Sequence, residues 1–349
     1  MTRPSTAAAQ NEEQREPERP ARERVVVAGL GRAGLEYTCA LAMHTAAEVA
    51  GFVEPRSDLR RFARGVGFAA PSEPTLARWL DRRACDTLIV CSPPEDALAL
   101  VERGVEAGLA ILVHGLARMP GEVATRIHAA LEGSNRPSAA GSAVLFHPLF
   151  ARARGSGALS PERVTQVRAS ASVSRVFSPL AHPGPSDVVS FLLADLMLLL
   201  DASFGPIVAV KAGGQKLYGS WLDECQVEAR FACGKVAKIE ASWSVPDYPG
   251  AAMVIECMTD EGRVIVSDDA LELETTSQQG RVVAASEPST ALYDGGDASL
   301  VVAGFLKTLV GGTAFAEALS VARAARIARV ADAVRQSIGT DSTEREVTP

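Results

Sequence analysis

The stretch VVVAGLGRAG at residues 25–34 constrains the fold of this 349-residue chain more than any other segment. A run of apolar residues leads into Gly29, Gly31 and Gly34, which are spaced GxGxxG. In such a turn one glycine makes the tight bend after a buried strand and the next lets the backbone approach a pyrophosphate. The third lets a helix pack against the strand. We therefore predict a strand, a turn and a helix whose N-terminus binds phosphate.

An acid follows at the position where a dinucleotide needs one for its ribose. Glu54 ends the second apolar run, 20 residues after Gly34, and a carboxylate there binds ribose hydroxyls and disfavours a 2′-phosphate. Arg56, Arg60 and Arg61 follow directly and offer the alternative of holding that phosphate. The cofactor predicted by these residues is NAD or NADP, with NAD favoured by Glu54.

We expect the cofactor to lie along the glycine turn, the helix N-terminus, the acid and the CSPP loop at residues 91–94. The loop enters this set because it follows a strong apolar strand and should line the same crevice. The candidate cofactor-binding residues are Gly29, Gly31, Arg32, Ala33, Gly34, Glu54, Ser92 and Pro93.

Composition and charge narrow the class of protein. Apolar residues make up 47% of the chain and charged residues 22%, which is typical of a soluble globular protein. The net charge of −7 argues against nucleic acid as a partner, because such a protein needs a concentrated basic face. The most apolar run, at residues 188–200, is too short to span a bilayer. We expect a cytoplasmic protein with no membrane partner. The cysteines lack zinc-binding spacing, so no metal site is predicted.

Strand and helix patterns alternate through the first half of the chain, which predicts a doubly wound parallel sheet of the Rossmann type. In the second half a strand at 164–174 and a helix at 186–200 precede a series of strands. Hairpin turns at 233–235 and 260–262 join several of these strands. The predicted fold class is therefore α/β, with an N-terminal Rossmann sheet and a C-terminal α+β domain that contains a large, mostly antiparallel sheet.

The domain boundaries follow from these patterns. Residues 1–22 are polar, charged and proline-containing, so we predict a disordered tail there. The Rossmann domain is predicted at 23–148 and the substrate and oligomerisation domain at 149–340. A second disordered tail is predicted at 341–349.

The order of these elements resembles the glucose–fructose oxidoreductase, inositol dehydrogenase and MocA family from about residue 24 to about residue 338. FHPLF at 146–150 resembles its aromatic-x-Pro segment, and GALSPERVTQVRASAS at 157–172 resembles the start of its second domain. The resemblance implies an open-faced second sheet, NAD or NADP, and a small sugar-like, cyclitol, imine or carbonyl substrate. It also implies homo-oligomers formed across the C-terminal sheet.

Two catalytic signatures of that family are missing from this chain. Its Glu-Lys-Pro motif falls on His114, Gly115 and Leu116, so glycine replaces the lysine that orients the substrate hydroxyl and assists proton transfer in the family. The histidine of its substrate-domain helix falls on Leu192 if Asp195 is the last acid of that helix. The other possible register gives no histidine either.

Hydride transfer from an alcohol still requires a group that accepts the hydroxyl proton. The candidate catalytic residues are His114 at the end of the fifth strand, His182 on the loop before the substrate-domain helix, and Asp195 on that helix. His147, in the segment between the domains, is a further histidine that could stand near the site.

Three functions remain open at this point. The first is a divergent NAD(P)-dependent oxidoreductase. The second is a catalytically degenerate relative that binds the cofactor as a sensor or a scaffold subunit, and the loss of both signatures motivates it. The third is a lyase or cyclase that uses the same pocket without a redox step.

Overall fold

A computed structural model describes residues 22–173, 187–217, 220–244, 252–267, 270–277, 280–288, 298–313, 316–340 and 342–347. Two sheets organise these residues, one in each half of the chain. The tail predicted at the N-terminus, apart from Arg22, and the candidate residue His182 lie outside the described residues.

The first sheet is a parallel sheet of six strands in the order β3-β2-β1-β4-β5-β6. Its strands are β1 Glu23–Ala28, β2 Ala47–Val53, β3 Ser72–Glu73, β4 Thr87–Val90, β5 Ala110–His114 and β6 Ser138–Gly141. The helices between them are α1 Arg32–Ala42, α2 Ser57–Gly65, α3 Ala77–Asp81, α4 Pro94–Glu106 and α5 Gly121–Glu132. Every residue of β4 is buried, as expected of a parallel strand covered on both faces. The predicted Rossmann fold is confirmed.

The second sheet has nine strands in the order β14-β13-β12-β11-β7-β10-β9-β8-β15. Its strands are β7 Val164–Ser172, β8 Ile207–Gln215, β9 Glu224–Phe231, β10 Val236–Ser242, β11 Ala252–Thr259, β12 Gly262–Ser267, β13 Ala270–Ser277, β14 Gly280–Pro288 and β15 Arg345–Glu346. All neighbouring strands pair antiparallel except β7 and β10. Buried and exposed residues alternate along β9 and β10, so one face of this part packs on the core and the other is open.

The remaining helices are α6 Pro148–Gly155, α7 Ala194–Phe204, α8 Ala298–Leu309 and α9 Val321–Gly339. The helix predicted at 186–200 differs in two ways. A π-helical turn at Val189–Leu193 precedes α7, and α7 continues to Phe204. Apolar residues surround α7 on most sides, and it packs against α9 and β7. Among the described helices, none is both long and apolar enough to cross a membrane.

Two features of the C-terminal part differ from the predicted boundaries. Helix α8 packs on α1 of the first domain, and α9 packs on α5 of the first domain as well as on β8 of the second. Ala140 N–H donates to the Leu319 carbonyl at 2.9 Å. Residues 342–347 are also not a disordered tail. β15 pairs with β8, and Val347 N–H donates to the Val208 carbonyl at 2.8 Å. The polar composition misled the prediction because the edge of β8 offers hydrogen-bond partners to any extended segment.

Candidate functional site

Two of the three glycines in the turn between β1 and α1 are required by the protein itself. Gly29 has a φ of +93°, and a Cβ there would lie 2.8 Å from the Cys91 carbonyl carbon. A Cβ on Gly34 would lie 1.8 Å from the Gly29 carbonyl oxygen. Both glycines therefore allow the turn, α1 and the loop after β4 to approach closely.

Gly31 has no such internal reason to be glycine. Its φ of −68° and ψ of −175° are open to any residue, and a Cβ there would meet no described atom within 4 Å. The Cβ would extend into open space beside the first turn of α1, whose N-terminus has no side-chain cap. A pyrophosphate at this place would meet backbone N–H groups and the positive end of the helix dipole. The residues of the turn therefore fit a dinucleotide.

Glu54 lies against the same turn. Its side chain is buried, with a relative exposure of 5% for the residue. One carboxylate oxygen accepts from Leu30 N–H at 2.8 Å, and the other accepts from Arg56 N–H at 2.9 Å. Because an ionised carboxylate has about four acceptor sites, these two bonds fix its orientation and leave capacity for ribose hydroxyls.

The arginines after Glu54 have partners within the protein. Arg56 forms an ion pair with Asp58 at 2.6 Å. One guanidinium nitrogen of Arg60 donates to the carbonyls of Glu54 and Pro55, at 2.5 Å and 2.7 Å. These two guanidinium groups are therefore held by an acid and by backbone carbonyls, while Arg61 lies exposed on α2.

The loop after β4 completes the candidate cofactor site. Cys91 N–H donates to the Ala28 carbonyl at 2.7 Å, which joins this loop to the end of β1. Ser92 is half-buried and Pro93 is exposed at the start of α4. Burial raises the pKa of the Cys91 thiol well above its usual range, so this sulfur is not a nucleophile at neutral pH. The structure thus brings the predicted cofactor-binding residues together at the carboxyl edge of the first sheet.

The structure also brings together two of the three candidate catalytic residues. His114 at the end of β5 and Asp195 in the first turn of α7 line one cavity of about 20 Å³. The other polar side chains on its wall are Arg118, Ser142 and Ser320. Since one water needs about 10–15 Å³ by this kind of measure, the enclosed space has room for a single water.

Arg118 and Asp195 form an ion pair that joins the two halves of the chain. Arg118 lies in the short 3₁₀ helix Leu116–Arg118 that follows β5. Its Nε donates to Asp195 Oδ1 at 3.2 Å, and a terminal nitrogen donates to Oδ2. The Asp195 side chain is 4% exposed and the Arg118 side chain is 25% exposed. The carboxylate is therefore almost fully buried in the pair, whereas part of the Arg118 side chain remains accessible.

His114 lies beside this pair in a neutral form. Its Nδ1 is buried and has no hydrogen-bond partner among the described residues, and its ring meets the Tyr37 ring edge-on at 5.5 Å. Burial, and then the charge of Arg118, lower the pKa of His114 to about 4, although Asp195 acts in the opposite direction. A neutral imidazole can form hydrogen bonds at pH 7 but cannot serve there as an imidazolium acid.

The sequence analysis did not identify Arg118. The sequence feature that could have identified it is an arginine four residues after His114, within the turn that follows β5. His147 lies elsewhere, at the start of α6, with its ring 5.2 Å from the Phe150 ring. It is buried and does not line the cavity.

Comparison with solved structures identifies proteins of the same fold. Levoglucosan dehydrogenase in complex with NADH and L-sorbose is 18% identical, with a TM-score of 0.76 over 93% of this chain and 99% of that one. UDP-N-acetylglucosamine 3-dehydrogenase GnnA from Acidithiobacillus ferrooxidans is 17% identical, with a TM-score of 0.75 over 93% and 100%. An oxidoreductase from Agrobacterium radiobacter, in complex with NAD+, L-tartaric acid and magnesium, is 14% identical, with a TM-score of 0.78 over 94% and 99%.

No protein-family model matches the chain, and no curated protein sequence is detectably similar to it. The structural matches cover both domains of this chain. The Rossmann sheet followed by a large, mostly antiparallel sheet, which the resemblance implied, is therefore the fold of this protein.

Proposed function

We propose that the chain is an NAD-dependent oxidoreductase that transfers a hydride to or from a small substrate at the carboxyl edge of the first sheet. The observation that carries this proposal is Gly31. The fold does not need glycine there, yet the missing side chain leaves open space at the N-terminus of α1. A glycine that serves a ligand rather than the protein's own packing supports a cofactor site.

Proteins of the same fold support the redox chemistry and the substrate class. Two of the three compared proteins are dehydrogenases, one of levoglucosan and one of UDP-N-acetylglucosamine. Two of the three structures contain NADH or NAD+. We infer a small sugar-like or cyclitol substrate for this chain too. The nicotinamide, when bound, accepts or supplies the hydride. The chain's residues hold the cofactor and place a polar pair, Arg118 and Asp195, beyond the end of β5.

NAD is the cofactor that the site supports better than NADP. The Glu54 carboxylate lies against the glycine turn, where it would repel a 2′-phosphate. Of the three arginines that could bind that phosphate, Arg56 and Arg60 are already held by Asp58 and by backbone carbonyls, which leaves the exposed Arg61. We expect NADH to bind more than tenfold more tightly than NADPH, a difference of about 1.4 kcal/mol or more.

The open face of the second sheet supports a homo-oligomer. Charges of both signs alternate there, with Arg168 and Lys238 beside Glu240 and Glu256. A mixed-sign face can pair with a second copy of itself across a twofold axis. Light scattering coupled to size-exclusion chromatography tests this, with a monomer at micromolar concentration as the contrary result.

We also propose a cytoplasmic location, which the absence of disulfides between the six cysteines supports.

Titration of the purified protein with NADH and NADPH, read by nicotinamide fluorescence, tests the proposed function. Turnover is then measured at 340 nm with NAD+ and levoglucosan or myo-inositol, and with NADH and L-sorbose. We expect binding of NADH and oxidation or reduction of at least one compound of this class. The proposal would be refuted if the protein bound neither NADH nor NADPH.

A cofactor-binding relative without catalysis is the second candidate. Its support is that glycine stands at position 115 and leucine at position 192, so the two conventional acid–base groups of the resembled family, the lysine and the helix histidine, are missing. Binding of NADH without any turnover would favour it. The role of His182 remains a prediction, and the same turnover assay on a His182→Ala variant tests it.

A further inference from the structure

We propose that Arg118 binds the oxygen on the reacting carbon of the substrate, and that the substrate is therefore an alcohol or a carbonyl compound rather than an imine. The inference rests on the proposed oxidoreductase function and specifies its substrate class. Asp195 and Phe191 act as positioning residues for the guanidinium.

The place of Arg118 in the fold supports this role. In a doubly wound sheet, ligands bind beyond the carboxyl ends of the strands, near the point where the strand order reverses. Here that point lies between β1 and β4, and Arg118 follows β5, the next strand along. Among the described residues that line the cavity beside His114, Arg118 is the only cation.

The burial of the ion pair distinguishes the group that can meet a ligand from the group that orients it. Asp195 is 4% exposed, whereas a quarter of the Arg118 side chain remains accessible. Of the two side chains, Arg118 is therefore the one with surface left for a ligand to contact. The two hydrogen bonds to Asp195 fix the plane of the guanidinium, which is the arrangement a planar donor group needs to bind an oxygen in a defined direction.

An aromatic ring fixes the guanidinium from a second side. The central guanidinium carbon of Arg118 lies 5.6 Å from the centre of the Phe191 ring. Phe191 belongs to the π-helical turn before α7, and its ring lies 6.4 Å from that of Trp243. π-helical turns occur frequently at functional sites. This one places the Phe191 ring beneath the guanidinium. In an ordinary α-helical turn the Phe191 side chain would project from a different angle around the helix axis.

Arg118 also provides the fixed positive charge that its neighbour lacks. The half-buried His114, whose Nδ1 is fully buried, lies beside it in the neutral form, so it contributes no charge to stabilise a negative oxygen at pH 7. A guanidinium remains protonated throughout the physiological range. Arg118 therefore stabilises charge on the substrate oxygen and does not act as the base.

The chemistry of the step follows from this role. In the reducing direction the carbonyl carbon gains a hydride from the nicotinamide cofactor. The π-electron pair of the C=O bond moves to the oxygen, which becomes an alkoxide beside Arg118. A solvent proton, relayed by the one water for which the cavity next to Asp195 has room, converts the alkoxide to a hydroxyl and leaves that water neutral. In the oxidising direction the hydroxyl proton passes through the same water to bulk solvent.

The same guanidinium disfavours an imine at this position in the protonated form that accepts a hydride. It has five N–H donors and no acceptor, so it binds an oxygen lone pair. A protonated imine presents an N–H and a positive charge instead, and both are repelled by the guanidinium. The structure thereby favours one of the substrate classes that the sequence leaves open.

Substitution of Arg118 tests the proposal. Arg118→Met removes the charge and keeps much of the volume, and Arg118→Lys keeps the charge but loses the planar fork. We expect Arg118→Met to lower kcat/KM by roughly 10²- to 10³-fold, as for loss of an oxyanion-binding donor, with an unchanged Kd for NADH. Arg118→Lys should retain intermediate activity, which provides a measurement if the methionine variant fails to fold.

Arg326→Met is the matched control. Arg326 lies on α9 and pairs with the buried Asp201. The side-chain exposures, 18% for Arg326 and 0% for Asp201, resemble those of the Arg118 pair. Its loss should lower stability without changing kcat/KM or the response to guanidinium. Added guanidinium ion should raise the activity of Arg118→Ala and leave that of Arg326→Ala unchanged, because only a missing ligand-binding group can be replaced from solution.

The outcomes distinguish this inference from the proposed function. If the wild-type protein binds neither nucleotide, the proposed function fails first. The inference is overturned if the protein binds NADH but reduces 1-pyrroline in preference to L-sorbose. It is overturned as well if NADH binds and no alcohol or carbonyl compound is converted, or if Arg118→Met retains wild-type kcat/KM.

Discussion

Replacing Gly31 with alanine should separate cofactor binding from folding. An added Cβ meets no protein atom within 4 Å, and the backbone at φ −68° accepts alanine without strain. Loss of backbone freedom in the unfolded chain favours alanine by ~0.4–1 kcal/mol. Alanine is in turn a poorer helix N-cap than glycine, by ~0.5–1 kcal/mol. The two terms nearly cancel, so the free energy of unfolding should change little.

The same methyl group should weaken cofactor binding. It would occupy the space in which the pyrophosphate approaches the backbone, and overpacking of this kind costs ~1–3 kcal/mol. That range corresponds to a Kd for NADH raised roughly 5- to 150-fold. Fluorescence titration measures the Kd, and thermal unfolding without NADH measures the stability.

Two other glycines provide the comparison. A Cβ on Gly34 would lie 1.8 Å from a backbone oxygen, so Gly34→Ala should lower the unfolding free energy by about 3 kcal/mol. A Cβ on Gly155, at the end of α6, meets nothing within 4 Å, so Gly155→Ala should leave the Kd unchanged and raise the unfolding free energy by ~0.4–1 kcal/mol. The reasoning is refuted if Gly31→Ala binds NADH as the wild type does, or if it destabilises the protein as much as Gly34→Ala.

Three further predictions follow from individual side chains. Because the pKa of His114 is lowered to about 4 in the folded protein, the unfolded chain binds a proton first as pH falls. The contribution of neutral His114 to the free energy of unfolding should be fully present above about pH 6.5 and should fall by about 2 kcal/mol by pH 5. Urea unfolding of His114→Gln should lack this decline, whereas His128→Gln should retain it. Glu54→Gln replaces one carboxylate oxygen with an N–H donor that must face a backbone N–H, so both stability and NADH affinity should fall; unchanged NADH binding would contradict the assigned role. Asp201→Ala leaves two arginines without their buried partner and should cost roughly 3–5 kcal/mol in chemical denaturation. The exposed Asp58→Ala should change the stability little, because its ion pair is exposed to solvent.

The cofactor half of the site was predictable because its signals are local. The glycine spacing, the strand before it and Glu54 lie within 30 residues of one another in the sequence. Each feature reflects a constraint on a single strand–turn–helix unit, so it can be recognised without knowledge of the rest of the fold. The alternation of strands and helices identified the first sheet for the same reason.

The C-terminal segment shows where local composition misleads. Residues 342–347 are polar and lack a periodic apolar pattern, yet β15 pairs with β8. The pairing depends on an available strand edge more than 130 residues earlier in the chain. A segment's own sequence contains no information about such an edge, so the predicted tail was wrong there.

What the sequence alone determined is the Rossmann fold of the first domain and the residues of its glycine turn, since short-range sterics dictate both. What only the tertiary structure decided is the polar group beyond β5. Arg118 and Asp195 are 77 residues apart in sequence, and neither residue shows by itself that it has a buried partner. Their pairing, the neutrality of His114 and the π-helical turn beneath the guanidinium all result from packing α7 against the edge of the first domain. Burial and long-range contact set these properties, and no local pattern encodes them.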